Sequence, residues 1–211
     1  MAQLSTDSSE SRRLINRIRD GNDAAAMDRL FERHRAYLKR VVHLRIDPKL
    51  RPRVDPDDIV QETHLEAVRR FTAYLDRPGL PFRLWLRQIA CDRLLISRRQ
   101  HVTAIRRSVE RNVPLPERSS VQLAQQMFAR EPHPADQIDR RDLARRVRDA
   151  VAKLPDRDRE ILLMRNFEEL STQEVASVLG VDPSTVRKRH GQALLRLRKL
   201  LIESGLRESE L

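Results

Sequence analysis

The stretch TQEVASVLGVDPSTVRKRHGQ, residues 172–192, decides the fold of the C-terminal part of the chain. Ser171 and Glu174 have the spacing of a capping box, in which each side chain satisfies a free amide at the start of a helix. Apolar residues then recur at helical spacing until Gly180, a residue type that tolerates the positive φ needed at a helix C-terminus. The pattern predicts a short helix that ends at a tight turn.

A second helix is predicted directly after this turn. Asp182 can cap it, and Pro183 suits its first position because no amide is needed there. Four apolar residues are expected to share one of its faces: Val186, Ala193, Leu194 and Leu197. Arg187 and Lys188 point elsewhere, and this arrangement is typical of a helix-turn-helix, whose second helix enters the major groove of DNA. An ordinary helical hairpin with a solvated basic face is the alternative.

The composition favours a polyanionic partner. The 211 residues include 42 Lys and Arg against 31 Asp and Glu, which gives a net charge of +11. Cations that neutralise phosphates release the counterions of a nucleic acid, and this release favours binding. No apolar run approaches the roughly 18 residues of a membrane span, so no membrane partner is expected.

Fold class and compartment follow from the residue types. Five glycines and eight aromatic residues (one Trp, two Tyr and five Phe) are few for a β-rich or Gly-loop nucleotide-binding protein, so an all-α fold is predicted. Cys91 is the single cysteine, which excludes an intrachain disulfide, and residues 1–10 lack a signal-peptide pattern. A reducing cytoplasm is therefore the expected compartment.

Helical periodicity predicts two small helical domains joined by a flexible linker. Residues 1–22 are predicted to form a tail that is disordered over 1–10 and one short helix over 11–19. Residues 23–100 are predicted to form the first domain, a helical bundle. Residues 101–137 contain four prolines and are predicted to be the linker. One amphipathic helix is possible within it, on Val121, Ala124, Met127 and Phe128. Residues 138–205 form the second domain, which carries the helix-turn-helix and no wing.

One helix of the first domain has an acidic face. It is predicted to begin at residues 55–58, DPDD, because a proline at the first position and acids in the first turn suit a helix N-terminus. Its core-facing side is predicted to contain Val60, Ala67, Val68 and Phe71. Asp58, Gln61 and Glu62 form the opposite face. Helix capping is the plain explanation for acids here and is favoured for Asp55 and Asp57.

The next helix is predicted from about Phe82 to Gln100. Six polar residues are expected to project outward from it: Arg83, Arg87, Gln88, Asp92, Arg98 and Arg99. Trp85 belongs either to the core or to a stacking platform for a displaced base. His34, on the apolar stripe of the predicted helix over 23–44, is expected to be a core residue and not a ligand.

Three segments stand in an informative order: DPDDIVQETHLEAVRRF at 55–71, FRLWLRQIACDRLLISRRQ at 82–100, and LPDRDREILLMRNFEELSTQEVASVLGVDPSTVRKRHGQALLRLR at 154–198. They resemble the core-binding helix, the adjacent promoter-recognition helix and the fourth region of the sigma-70 factors of bacterial RNA polymerase, in their compact extracytoplasmic-function group. The resemblance covers about residues 23–201 except the linker. The linker segment SSVQLAQQMFA resembles factors of planctomycete-like genomes.

The resemblance implies a promoter-specificity subunit that binds core RNA polymerase and promoter DNA, both duplex and melted. Asp58, Gln61 and Glu62 match the polar face that contacts the clamp helices of the polymerase. An acidic face in a basic protein makes sense if the partner surface is itself basic. Residues 161–165 fall where the family contacts the flap of the polymerase, and an anti-sigma factor is a possible further partner.

The family also supplies candidate DNA-binding residues. The predicted loop 71–81 and the start of the next helix match the part that captures a flipped base of the minus-10 element. The minus-10 candidates are Tyr74, Arg83, Trp85, Arg87, Gln88 and Asp92. The minus-35 candidates are Thr172, Pro183, Ser184, Thr185, Arg187, Lys188, Arg189 and Gln192. In the minus-10 helix, Asp92 stands where the family frequently has an Asn. In the minus-35 helix, Gly191 and Gln192 stand where an aromatic residue and an Arg are frequent, so the preferred minus-35 sequence is expected to differ from the one usual in this group.

Two other classes of protein fit parts of this pattern. A stand-alone regulator with an N-terminal helical sensor domain would need no acidic face and would bind operator DNA by itself. An enzyme acting on nucleic acid would need metal-binding carboxylates or a nucleophile with its base. The six histidines are scattered and no metal-ligand spacing occurs. No catalytic residue, metal or cofactor is therefore expected.

Overall fold

A computed structural model describes residues 9–21, 23–46, 54–76, 79–102, 115–128 and 140–206, with the side chains of 100–102, 126 and 128 excepted. Within these ranges the chain forms helices and turns and no strand, so the predicted all-α fold is confirmed. The chain divides into two compact units, residues 1–108 and residues 109–211. Each unit has its own buried apolar side chains.

The first unit contains α1 (Ser9–Gly21), α2 (Ala24–His43), α3 (Pro56–Asp76) and α4 (Phe82–Val102). α2, α3 and α4 pack against one another, and α1 packs on α2. Asp23 caps α2 by accepting from the amide of Ala26 at 2.9 Å, and Asp55 accepts from the amide of Asp57 at 2.8 Å at the start of α3. His34 is buried and lies 3.3 Å from the Ser11 hydroxyl, which confirms its predicted place in the core.

Three predictions for this unit are wrong in detail. Ser9 and Glu10 are helical, whereas residues 1–10 were expected to be disordered. The loop predicted over 71–81 begins later, because α3 continues to Asp76 and Tyr74 is buried. Val68, expected in the core, is 48% exposed. Val68 follows the buried Ala67, and each residue of an α-helix is rotated by about 100° about the axis relative to the one before it, so the Val68 side chain points away from the core. The predicted loop over 46–54 lies mostly outside the described residues.

The second unit contains α5 (Glu117–Phe128), α6 (Arg140–Lys153), α7 (Asp156–Leu162), α8 (Thr172–Leu179) and α9 (Pro183–Glu203). α7 continues into a π-helical turn at Leu163–Phe167. α9 packs against α6, α7 and α8 and so forms the centre of the unit. Burying a large apolar side chain contributes about 1.5–3 kcal/mol, and Leu197 and Leu201 on α9 are 0% exposed.

The predicted linker contains a helix that belongs to the second unit. α5 packs on α6, and Val121 and Ala124 are buried there. Leu123, which the amphipathic pattern did not include, is 2% exposed. The second unit therefore begins before residue 138, where the sequence pattern placed it. Residues 103–114 and 129–137 of the predicted linker lie outside the described residues.

Candidate functional site

The helix-turn-helix forms, and the capping residues of its first helix act as predicted. The Ser171 hydroxyl accepts from the amide of Glu174 at 3.2 Å, and the Glu174 carboxylate accepts from the amide of Ser171 at 2.8 Å. Gly180 ends α8 at φ 64° and ψ 37°, the left-handed conformation that favours glycine. Asp182 precedes α9, but its exposed side chain makes no capping hydrogen bond, so this expectation is wrong. Its backbone carbonyl accepts from the amide of Val186 at 3.1 Å.

The predicted minus-35 residues gather at the start of α8 and in the first half of α9. Five of them are exposed: Ser184, Arg187, Lys188, Arg189 and Gln192. Thr172, Pro183 and Thr185 are half-buried. Within the described part of the chain, no carboxylate pairs with the three cations at 187–189. The front of α9 is therefore a basic surface whose charges are open to an external anion.

Two polar contacts that the sequence pattern missed hold α9 in place. His190 Nε2 lies 2.8 Å from Asn166 Oδ1 in the π-helical turn. Further along α9, Arg196 donates to the largely buried carboxylate of Asp158 on α7. A signal for the first contact was available, because His190 has helical spacing with Val186. Its partner, 24 residues away, carried no sequence signal.

Acidification is expected to destabilise the chain between about pH 7.5 and about pH 5, and His190 contributes to this effect. Burial, and then the charge of Arg165, lower the pKa of His190 from its ordinary value of 6.5. The stabilisation is therefore present above the unfolded pKa and lost as the pH falls through the lower folded pKa. Burial also lowers the pKa of His64, which acts in the same direction.

Thermal melts across this range can separate the two histidines. The wild-type Tm should fall as the pH is lowered, and the His190→Gln variant, which has no imidazole at this position, should show a smaller fall. The His64→Gln variant measures the contribution of the first unit in the same way. Equal slopes in wild type and His190→Gln would show that His190 does not contribute.

In the first unit, Trp85 belongs to an aromatic cluster. Its ring stacks on Tyr74 with centroids 4.6 Å apart and an interplanar angle of 28°, and it lies 5.5 Å from the ring of Phe82. The Tyr74 hydroxyl donates to the carbonyl of Leu80 at 3.2 Å, which ties the end of α3 to the start of α4. Trp85 is half-buried, so it takes part in the core cluster and still exposes part of its ring.

The other predicted minus-10 residues divide into exposed and buried side chains. Gln88 and Asp92 are exposed, and the half-buried Arg83 places its guanidinium carbon 5.1 Å from the centroid of the Tyr37 ring. Arg87 is only 4% exposed, so the expectation that it projects outward is wrong. α4 packs against both α2 and α3, and Arg87 falls within this wide buried arc.

The predicted polymerase-binding residues lie together on the outer side of α3. Asp58, Gln61 and Glu62 are exposed, and within the described ranges neither carboxylate has an ion-pair partner. Leu65 and Val68, one and two turns further along this side, are 53% and 48% exposed. The surface thus combines two unpaired acids with two exposed apolar side chains, and the apolar part was not predicted.

The neighbouring acids of α3 serve the fold. Asp57 pairs with Lys39 of α2 at 2.7 Å, and this hydrogen bond lowers the pKa of Asp57. Glu66 is buried and lies 2.5 Å from Arg93 of α4 and 2.5 Å from Arg70. These contacts connect α3 to α2 and α4. In the first two turns of α3 they leave Asp58 and Glu62 as the acids without a structural partner in the part of the chain that is described.

The segment 161–165 does not present the surface expected for a polymerase contact. Its first four side chains are at most 3% exposed. Arg165 is half-buried and donates to the carbonyl of Leu170. The apolar residues of this segment complete the core beneath α9, so of the five side chains only Arg165 reaches the surface.

Metal sites and membrane spans are both absent from the described ranges. No group of three or more His, Cys, Asp or Glu side chains is arranged to hold a metal ion. Within the same ranges, none of the helices has the length and apolar character needed to cross a membrane.

Known proteins resemble the chain over both units. The family model described as Sigma-70, region 4 matches residues 144–197, which include the helix-turn-helix. The ECF RNA polymerase sigma factor SigD of Mycobacterium tuberculosis is 29% identical over 183 residues, 87% of this chain and 80% of that protein. The RNA polymerase sigma factor CnrH of Cupriavidus metallidurans is 29% identical over 150 residues, 71% of this chain and 75% of that protein.

A solved structure supports the fold. The structure of CnrH in complex with the cytosolic domain of CnrY matches with a TM-score of 0.59 at 23% identity, and the match covers 92% of this chain and 99% of that one. The regional match and the long relatives agree with the order of the three motifs along the chain. Residues 144–197 thus match region 4 of the sigma-70 factors, and most of the chain is similar to RNA polymerase sigma factors that include the ECF factor SigD.

Proposed function

We propose that this chain binds core RNA polymerase through α3 and directs initiation at promoters whose minus-10 and minus-35 elements it reads with α4 and α9. The chain itself performs no bond chemistry in this proposal. The observation that carries it is the exposed basic front of α9 on a capped helix-turn-helix, whose cations have no carboxylate partner among the described residues. We further infer that it acts in the cytoplasm, where its polymerase works.

The front of α9 is suited to the minus-35 element. In a helix-turn-helix the first residues of the second helix reach the base edges of the major groove. Arg187 and Lys188 carry the donors that match guanine O6 and N7, and both are exposed. Ser184 and Gln192 are exposed beside them and offer shorter polar contacts. We infer that this group supplies both the base contacts and part of the phosphate contacts.

The outer side of α3 is suited to a basic protein surface. Asp58 and Glu62 would be repelled by DNA, and no ion pair within the described residues satisfies them. The exposed Leu65 and Val68 add apolar area of the kind that is buried at the centre of a protein interface. We infer that these four residues and Gln61 form the polymerase-binding surface, with the acids setting orientation and association rate.

The start of α4 is suited to the melted minus-10 element. A flipped base costs about a few kcal/mol of unstacking and needs a pocket or an aromatic face to offset this cost. Trp85 exposes part of its ring, and the buried Tyr74 supports it from one face. We infer that Trp85, Arg83 and Gln88 contact the strand, whereas Asp92, being negative, is placed away from phosphates.

Two finer proposals rest on resemblance. The CnrH structure is a complex with the cytosolic domain of CnrY, and we propose that this chain is likewise bound by a protein partner, which would act on it as an anti-sigma factor. The segment SSVQLAQQMFA at 119–129 supports a planctomycete-like origin of the chain.

Transcript mapping tests the proposed function. Core RNA polymerase is incubated with fragmented genomic DNA with and without the full chain, and the RNA 5′ ends are sequenced. New start sites that share a minus-10 and a minus-35 element are expected only when the chain is present. Unchanged start sites, with an active core enzyme and a control sigma factor that works, would refute the proposal.

A further inference from the structure

His190 is the polar member of an otherwise apolar stripe on α9. The apolar members, at spacings of three and four residues, are 0% exposed: Val186, Ala193, Leu197 and Leu201. Apolar packing is non-directional, so these contacts alone tolerate small rotations of the helix. A hydrogen bond has a narrow range of distance and angle, and His190 makes one to Asn166 at 2.8 Å. It is therefore the directional contact nearest the front of α9, and with the Arg196–Asp158 ion pair further along the helix it fixes the rotation of α9.

Asn166 is held by a rigid support. The amide of Glu168 donates to the carbonyl of Leu163 at 2.9 Å, which is the five-residue spacing of a π-helix. Leu163 and Met164 are buried, so the turn is anchored in the core of the unit. The turn also packs against α8, the first helix of the helix-turn-helix. The position of Asn166 is thus determined by both α7 and α8.

We propose that the His190–Asn166 hydrogen bond is a positioning contact for minus-35 recognition. This inference rests on the proposed function of α9. His190 follows Arg187 by three residues, about one helical turn, so the rotation that satisfies Asn166 also sets the direction of Arg187. An atom about 6 Å from the helix axis moves by about 2 Å when the helix rotates by about 20°. This movement exceeds the spread of hydrogen-bond lengths, about 0.5 Å, so base contacts would be lost.

The test measures selectivity and not total activity. Holoenzyme is assembled from the full chain and core RNA polymerase, and transcription is compared on two templates. One carries the strongest promoter mapped for the wild-type chain, and the other carries the same promoter with its minus-35 element scrambled. The ratio of the two rates reports how well α9 reads bases, because a loss of folded protein lowers both rates together.

Two substitutions of His190 form a matched pair. His190→Leu fills a similar volume with an apolar side chain and removes the hydrogen bond. It should lower the ratio by about three- to tenfold, the range that corresponds to the free energy of one neutral hydrogen bond. His190→Gln keeps an N–H donor of similar reach and should keep the ratio within about twofold of wild type. An unchanged ratio in His190→Leu would overturn the inference. So would an equal loss in His190→Gln, since the ring and not the hydrogen bond would then be responsible.

The partner residue provides an independent measurement that does not disturb the stripe. Asn166 is half-exposed, and Asn166→Ala should lower the ratio as far as His190→Leu does. The double variant should be no worse than either single variant, because the same contact is removed twice. Additive losses would overturn the inference. If His190→Leu proves unfolded in a thermal melt, Asn166→Ala alone decides the outcome.

The wild-type chain separates this inference from the proposed function. If it yields no transcript, or a ratio near one, the proposed reading of promoters fails and the inference fails with it. If it yields a high ratio that His190→Leu and Asn166→Ala leave unchanged, only the inference fails.

Discussion

Replacing Asp58 and Glu62 by arginine is expected to abolish binding to core RNA polymerase, with a loss of at least about a hundredfold in affinity. Both carboxylates are exposed and, within the described ranges, neither is ion-paired, so they contribute little to the fold. Placing like charges face to face across an interface costs about several kcal/mol, and about 2.7 kcal/mol corresponds to a hundredfold. Fluorescence anisotropy of the labelled chain with core polymerase measures the effect directly.

A charge-matched control separates the surface from the net charge. Asp20→Arg with Glu32→Arg makes the same change in net charge on exposed positions of α1 and α2. This variant should bind core polymerase with nearly the wild-type affinity, and both variants should melt close to the wild-type Tm. If the two variants lost affinity equally, the effect would be one of overall charge. If the Asp58 and Glu62 variant bound normally, α3 would not be the docking helix and the stand-alone regulator would become the better explanation.

The apolar part of the same surface offers a finer distinction. A surface that only attracts a basic partner through its charge does not need apolar side chains. Leu65 and Val68 are nevertheless about half exposed on it. Buried at an interface, they would slow dissociation, whereas the acids would act mainly on association. The proposed surface therefore predicts that salt weakens binding through the association rate, while the dissociation rate depends on the two apolar side chains.

The features predicted correctly from the sequence are those that depend on residues close together along the chain. The capping box of Ser171 and Glu174 and the left-handed Gly180 depend on residues within one turn of each other, and all three are as predicted. The exposed acids of α3 were visible for the same reason, since charge and helical spacing are both local properties. Asp182 shows the limit of such signals, because the residue type permits a cap that the side chain does not make.

The errors come from packing on more than one side. Periodicity gives the direction of a buried face but not its width, which depends on how the neighbouring helices pack against the element. α3 and α4 each contact two other helices, and this packing buries Arg87 on α4 but leaves Val68 on α3 exposed. The His190–Asn166 contact joins residues 24 positions apart, through a π-helical turn that has no sequence signature. Such contacts follow from the tertiary structure alone.

Arg187→Ala is expected to lower transcription by about five- to a hundredfold at promoters with a good minus-35 element, and much less at promoters without one. Arg187 is exposed at the front of α9, and a bidentate contact to guanine contributes about 1–3 kcal/mol of discrimination. Rates from single-round transcription on both kinds of promoter, with the same amount of holoenzyme, measure the selectivity. The salt dependence of promoter binding measures the number of phosphates that are neutralised.

These two measurements separate a base reader from a phosphate anchor. Loss of a phosphate anchor would lower the transcription rate equally at all promoters and would reduce the slope of log binding constant against log salt concentration by about one. Loss of a base reader would change the selectivity between promoters. Lys199→Ala is the matched control, because this exposed cation lies 12 residues further on, about 18 Å along α9. It should leave the selectivity unchanged. An equal loss at all promoters would assign Arg187 to the backbone and leave Lys188, one residue further on, as the candidate for base reading.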